Sequence, residues 1–305
     1  MELQGVLCID KPQGFTSFDV VAKMRGIAKT RKVGHGGTLD PMATGVLPIF
    51  LGRATKACDL VPEQKKRYLA TFRLGITTDT QDITGQILRQ EQAACSPEQV
   101  RTVLARFVGQ QQQVPPMYSA VKVDGKRLYD LARQGKEVQR QSREITIFAL
   151  ELLDQNPDAG EYTIDVTCSK GTYIRTLCHD VGQALGCGAT LTQLRRTLSA
   201  GFSLEQCITL EEASRLAEEG RLSERVLPVE QIFAVLPRVT LTQQQTRLFC
   251  NGAPLDLNRV EDAPGTGALL RVCGADGRFL GLAQEDLTQG LLMMKKLFAL
   301  EGERV

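Results

Sequence analysis

The sequence predicts an α+β fold in two parts. Three observations predict it. Helical and strand-like stretches are interleaved without a steady strand–helix–strand rhythm. Leu227-Pro228 interrupts the chain, and beyond it come short strand-like runs separated by Gly and Pro turns. The 305 residues also exceed the roughly 100–200 of a single ordinary domain. The expected parts are residues 1–228 and a small β-rich part, 229–305.

Gly5 to Ile9 is a short apolar run and predicts a buried strand, ended by the turn-rich Asp10-Lys11-Pro12-Gln13-Gly14. Ser17 is placed as an N-cap, since Val20, Val21, Met24 and Ile27 follow at helical spacing. Residues 33–45 hold four glycines and a proline and predict a loop with no regular element. Val46 to Leu51 fits a strand or a buried helix. Arg67 to Leu74 alternates, with Tyr68, Ala70, Phe72 and Leu74 on one face, and predicts a half-buried strand. Ser96-Pro97 starts a helix that Gly109 is expected to stop. Arg127 to Gln134 reads as a short helix. Glu144 to Leu153 and Glu161 to Cys168 read as paired strands around Asn156-Pro157-Asp158-Ala159-Gly160. Thr172 to Leu185 is helical, Thr190 to Arg196 is read as a further short helix, and Glu211 to Glu219 as another. Strands follow at Ala268–Cys273, Phe279–Ala283 and Leu291–Phe298.

Composition narrows the function classes. No run of about 18 apolar residues exists, so no spanning helix is expected. The N-terminus lacks a basic region followed by an apolar one, which leads us to expect a cytoplasmic protein. Nine scattered cysteines without a Cys-x-x-Cys, and only two histidines, speak against zinc. The odd thiol count fits reduced, core-filling cysteines. Net charge is only +2, but residues 1–68 carry eleven Lys/Arg against six Asp/Glu. Such a surplus suits phosphates and equally suits a solvated surface.

Asp40-Pro41 is an ordinary helix-start pair, yet its glycine-rich approach lets a bulky substrate come close. An aspartate is ionised at neutral pH and needs no base to act as a nucleophile. His35 lies in the same loop without a triad partner at any evident spacing. Lys65-Lys66-Arg67 beside Tyr68, and Lys170 to Thr176 with Tyr173 and Arg175, offer cations and rings together, as single-stranded nucleic acid requires. A strand tyrosine with a solvated basic flank accounts for the first equally well.

Seven segments in order resemble the bacterial tRNA pseudouridine-55 synthases of the TruB family. They are Gly5 to Val21 with its Asp10-Lys11-Pro12, Gly34 to Leu47 around Asp40, Lys66-Arg67-Tyr68, Leu74-Gly75 with Thr78 to Gly85, Pro116 to Lys122, Lys170 to Thr176, and Gly188-Ala189 with Leu194-Arg195-Arg196. Phe18 and Gly36 depart from the pattern, where a polar residue and a threonine are common.

The resemblance implies a pseudouridine-synthase fold, with a mixed, largely antiparallel sheet flanked by helices and a small PUA-like C-terminal domain. It implies that Asp40 is the catalytic aspartate, Tyr68 the ring that stacks on the target base, and Arg175 the partner of the carboxylate. His35, Tyr173 and Leu194 match positions lining the flipped nucleotide. Lys11, Pro12 and Asp82 are placed with the substrate-binding residues. The substrate is uridine 55 in the T loop of tRNA, and no cofactor or metal is used. Asp40 attacks ribose C1′ or uracil C6. The basic stretch 117–143 (Lys122, Lys126, Arg127, Arg133, Lys136, Arg140, Arg143) is expected to clamp the T arm. A monomer acting without guide RNA and away from membranes is expected.

Overall fold

Alternating strands in the first 200 residues build one large sheet, and its order decides which loops meet. The structure, a computed structural model, describes residues 3–62, 65–93, 95–123 and 125–299. The chain runs β1 (Gly5–Lys11), α1 (Ser17–Ile27), β2 (Val33–His35), β3 (Thr44–Leu51) and β4 (Lys66–Leu74). A hairpin β5 (Ile76–Thr78) and β6 (Ile87–Gln90) leads to α2 (Pro97–Ala105) and β7 (Gly109–Gln113). A second hairpin, β8 (Lys122–Val123) and β9 (Lys126–Arg127), opens into α3 (Leu128–Arg133). Then come β10 (Arg143–Asn156), β11 (Glu161–Cys168), α4 (Ile174–Ala184), β12 (Ala189–Ser199), β13 (Phe202–Ser203) and α5 (Leu210–Glu218). The last part holds β14 (Arg238–Thr240), α6 (Gln243–Cys250), β15 (Leu255–Asp256), β16 (Leu269–Cys273), β17 (Phe279–Asp286) and β18 (Leu291–Leu297).

The large sheet has the order β1-β3-β12-β4-β11-β10-β7, with β2 added on β3 and β13 on β12. Its pairings are antiparallel except β3 with β12, which is parallel. Central β4 buries Tyr68, Ala70, Phe72 and Leu74 on one face, as its alternation predicts. They pack with Leu39, Ile174, Leu177, Val181 and Leu194 in one apolar cluster. That cluster takes residues from the segments that carry Asp40, Tyr68, Arg175 and Leu194.

Four sequence expectations change. Residues 190–196 are not a helix but part of β12, in the middle of the sheet. The register shifts between Leu191 and Gln193, so Leu191 and Leu194 face inward three apart and mimic a helical period. The cap of α1 is Thr16, whose side chain accepts the Asp19 N–H, because the Ser17 hydroxyl is bonded to Leu39 instead. Gly109 begins β7 rather than ending α2. Residues 33–45 do contain a regular element, since Val33 to His35 pairs with the end of β3.

The second sheet, β14-β16-β17-β18-β15, carries α6. It joins the first part through Phe233, Phe279 and Phe298, whose ring centroids lie 5.6–6.0 Å apart, beside Val6, Cys8 and Phe50. Arg53 Nη1 donates to the Ala299 carbonyl at 2.5 Å and Lys56 Nζ to that of Leu297 at 3.1 Å. All nine cysteines are free thiols. Among the described residues no helix is long and apolar enough to cross a membrane, and no cluster of His, Cys, Asp and Glu is built to hold a metal.

Candidate active site

Asp40 sits in the loop between β2 and β3, and three side chains, of Lys11, Ser17 and Arg196, hold that loop's backbone. Asp40-Pro41 opens a turn, not a helix: the Ala43 N–H donates to the Asp40 carbonyl at 3.0 Å. Lys11, wholly buried at the end of β1, donates to the carbonyls of Pro12, Phe15 and Pro41 at 2.8, 2.6 and 3.4 Å. Burial lowers its pKa to about 8, with Asp40 partly opposing that. Ser17 Oγ accepts the Leu39 N–H at 2.8 Å. Arg196, also wholly buried, donates to Val46, Thr38 and Gly37 carbonyls at 2.8, 3.2 and 3.1 Å. Gly45 lies flat against β12 with φ +103°, where a Cβ would stand 2.2 Å from the Arg196 carbonyl oxygen.

Arg175 enters from the first turn of α4. Its Nε lies 3.0 Å from Asp40 Oδ2, and its Nη2 donates to Oδ1 at 3.4 Å. The same Nη2 donates to the Tyr118 carbonyl at 2.8 Å, and Nη1 to the Thr80 carbonyl at 3.0 Å and Asp82 Oδ2 at 3.2 Å. One guanidinium therefore ties together the Asp40 loop, the β5–β6 hairpin and the root of the basic insertion. Its side chain is 5% exposed, while that of Asp40 is 35% exposed. The carboxylate thus faces outward from a buried cation. Burial raises the Asp40 pKa above the ordinary carboxylate value, Arg175 opposes that, and the nearby Asp82 adds to it.

Tyr68 lies on the buried face of β4. It pairs across the sheet with Arg196, and Leu194 pairs with Ala70, so Tyr68, Leu194 and Arg196 share a face. Burial pushes the Tyr68 phenol up, Arg196 partly offsets it, and Asp40 is among the charges it feels. His35 ends β2, and its Nδ1 accepts the Gly37 N–H at 3.3 Å. Burial, Arg196 and Lys66 lower its pKa, so the ring is neutral at pH 7 with its proton on Nε2. Tyr173 caps α4. Its N–H donates to Gln113 Oε1 at 2.8 Å and its carbonyl accepts from Gln113 Nε2 at 3.0 Å.

Asp82 stands behind Arg175 rather than on the open side. Its Oδ1 accepts from Thr80 Oγ1, Thr84 N and Thr84 Oγ1 at 2.9, 3.0 and 2.5 Å, and its side chain is 6% exposed. Lys11 likewise holds backbone from within, and the Pro12 carbonyl is one of the acceptors that it holds. Arg196 and Gln113 carry no role in the sequence reading. An arginine in a strand between apolar positions was the available signal for Arg196: alternation sends Arg195 to Asp10 at 2.7 Å and Arg196 inward. Gln113 had none, because its use is to pair with backbone 60 positions away. In the insertion, Lys122, Lys126, Arg127 and Arg133 line an open cleft of about 680 Å³ beside Asp130. Arg127 and Arg133 both lie on the Tyr129 ring.

A mixed sheet that carries an outward carboxylate on a buried arginine is shared with the pseudouridine synthases, which are isomerases, and similarity to known proteins places the chain in that class. The fold is similar to a chain in the crystal structure of a Cbf5-Nop10-Gar1 complex, with TM-score 0.75 and 27% identity, over 97% of this chain and 85% of that one. A chain of an archaeal box H/ACA sRNP Nop10-Cbf5 complex shares the fold at TM-score 0.74 and 24% identity, over 98% and 87%. The chain belongs to the TruB family of pseudouridylate synthases. The N-terminal domain model of that family matches residues 25–174, a tRNA pseudouridylate synthase B C-terminal domain matches 175–234, and a TruB C-terminal model matches 237–292. Relatives named tRNA pseudouridine synthase B include that of Cupriavidus metallidurans, 43% identical over 98% of this chain and 95% of its own. That of Clostridium tetani is 42% identical over 97% and 100%.

Proposed function

We propose that this protein isomerises uridine 55 in the T loop of tRNA to pseudouridine, with Asp40 as the nucleophile. The observation that carries the proposal is the Arg175–Asp40 pair, a carboxylate turned outward and held at 3.0 Å by a buried guanidinium. The names of the full-length relatives supply the substrate class.

A uridine stacked in a loop must be extruded before its glycosidic bond can be reached, at a cost of a few kcal/mol. Tyr68 and Leu194 receive it, and ring stacking returns roughly 1–3 kcal/mol per base. Arg175 orients the Asp40 carboxylate and offsets its burial. Asp40 attacks ribose C1′ or uracil C6. The N1–C1′ bond breaks, the base turns while held, the C5–C1′ bond forms, and the bond to Asp40 breaks, by displacement at C1′ or elimination from C6, which frees the carboxylate. C5 loses its proton and N1 gains one, so the reaction balances without a redox partner or cofactor.

The basic cleft at Lys122, Lys126, Arg127 and Arg133 supports a clamp on T-arm phosphates, read by shape. Direct action of one chain on naked tRNA, in the cytoplasm and without guide RNA, belongs to the same proposal. Tritium release from tRNA labelled at uridine C5 tests it. Wild type releases tritium from a T-arm stem-loop with no other component and Asp40→Asn does not. Equal release from both, or a strict need for added RNA, overturns it.

A further inference from the structure

Strand alternation places Lys66 on the face of β4 that carries Tyr68, about 6.6 Å back along the strand. Its Nζ reaches the turn that leads to Asp40. A Cβ on Gly37 would lie 3.1 Å from Lys66 Nζ and 3.8 Å from Arg196 Nη1. Gly37 has φ +131°, so this side of the turn stays free of a side chain.

The charged groups near the ammonium are cations, Arg196 from β12 and Lys170 from the loop after β11, beside two neutral groups, the Cys168 thiol at the end of β11 and His35 from β2. Among the described residues Lys66 Nζ makes no hydrogen bond and no ion pair. Lys11 is a useful contrast, since its ammonium is met by three carbonyls and plainly pins backbone. A half-buried ammonium among cations, with no acceptor, is costly to keep. Burial and those cations lower its pKa to about 8. Arg196 commits its N–H groups to three backbone carbonyls and is wholly buried, so Lys66 is the group able to meet an incoming anion.

We propose that Lys66 binds the phosphodiester next to the extruded uridine, anchoring the backbone of the nucleotide whose base lies over Tyr68. The proposal rests on the base-extrusion reading above. A phosphate supplies the acceptor and the negative charge that the protein withholds at this point.

The test uses T-arm stem-loops carrying one neutral methylphosphonate at each linkage in turn, with binding measured in the Asp40→Asn background to prevent turnover. One linkage flanking the target uridine is expected to cost that protein about tenfold in Kd. With Lys66→Met added, the unmodified RNA binds about tenfold more weakly and that linkage costs nothing further. Lys66→Arg keeps the sensitivity. If Lys66→Met leaves the profile unchanged at every linkage, the proposal fails. A second measurement separates anchoring from a structural role. Lys66→Met melts no lower than wild type, because no partner is lost, and a drop of several degrees overturns the proposal. Tritium release by wild type reports on the parent reading by itself. Release together with an unchanged phosphate profile sinks the Lys66 proposal alone, and no release sinks the parent.

Discussion

Arg175 Nε lies 3.0 Å from Asp40 Oδ2 across 135 positions of sequence. The same guanidinium lies 3.2 Å from Asp82, so one buried cation serves two carboxylates of unequal exposure. Only the outward one is placed to meet a substrate. Asp40→Asn should therefore lower pseudouridine formation by at least roughly 10³-fold, with T-arm binding within a few-fold of wild type. Tritium release and filter binding measure the two.

The Asp40 carboxyl is raised by burial, so the native state holds its proton more tightly than the unfolded chain. Stability should fall as pH rises from the ordinary aspartate value, 3.8, through the raised one. Asp40→Asn should then melt with wild type in acid and above it at neutral pH. Calorimetry from about pH 4 to pH 8 spans that window. A variant that melts lower at neutral pH would show that the Arg175 pairing outweighs the burial cost.

Asp82 adds to the rise of the Asp40 pKa and fills the far side of Arg175. Asp82→Asn should move the acid limb of kcat/KM to lower pH, because a like charge is removed. Asp82→Ala leaves the buried Arg175 short of a partner and should cost about 3–5 kcal/mol. Urea unfolding measures the loss, and an effect under about 1 kcal/mol would mean that Asp40 and the two carbonyls suffice for Arg175.

Gly45 has no room for a side chain, since a Cβ would stand 2.2 Å from the Arg196 carbonyl. Gly45→Ala should cost about 2–6 kcal/mol from strain and crowding together. Arg196→Met strips the Gly37, Thr38 and Val46 carbonyls of their donor, at about 1–3 kcal/mol each. Because two of them belong to the Asp40 loop, kcat should fall by more than KM rises. Steady-state kinetics of the folded fraction reads this directly.

The Tyr68 phenol is pushed up by burial and stays protonated through the working range, so its ring and not its charge is at stake. Tyr68→Phe should bind T-arm RNA as wild type does. Tyr68→Leu should lose about 1–3 kcal/mol of binding. Equal affinity of the Phe and Leu variants would remove the stacking role.

Local pattern alone determined much of this molecule. Alternation in Arg67 to Leu74 yields β4 with its buried face, and the helical spacing of Val20, Val21 and Met24 yields α1. Ordered motifs also nominated Asp40, Tyr68 and Arg175. Nearest-neighbour periodicity carries these elements because each buries a face of its own. β12 escaped it, for a bulge between Leu191 and Gln193 breaks the period of two and leaves a helix-like spacing. Tertiary structure alone decided the rest. It placed Asp82 behind Arg175, gave Lys11 three carbonyls while Lys66 has none, and brought Gln113 to Tyr173. These are contacts between loops joined only by strand order, and no local spacing encodes whether a charged side chain ends on a partner, on backbone or in the open.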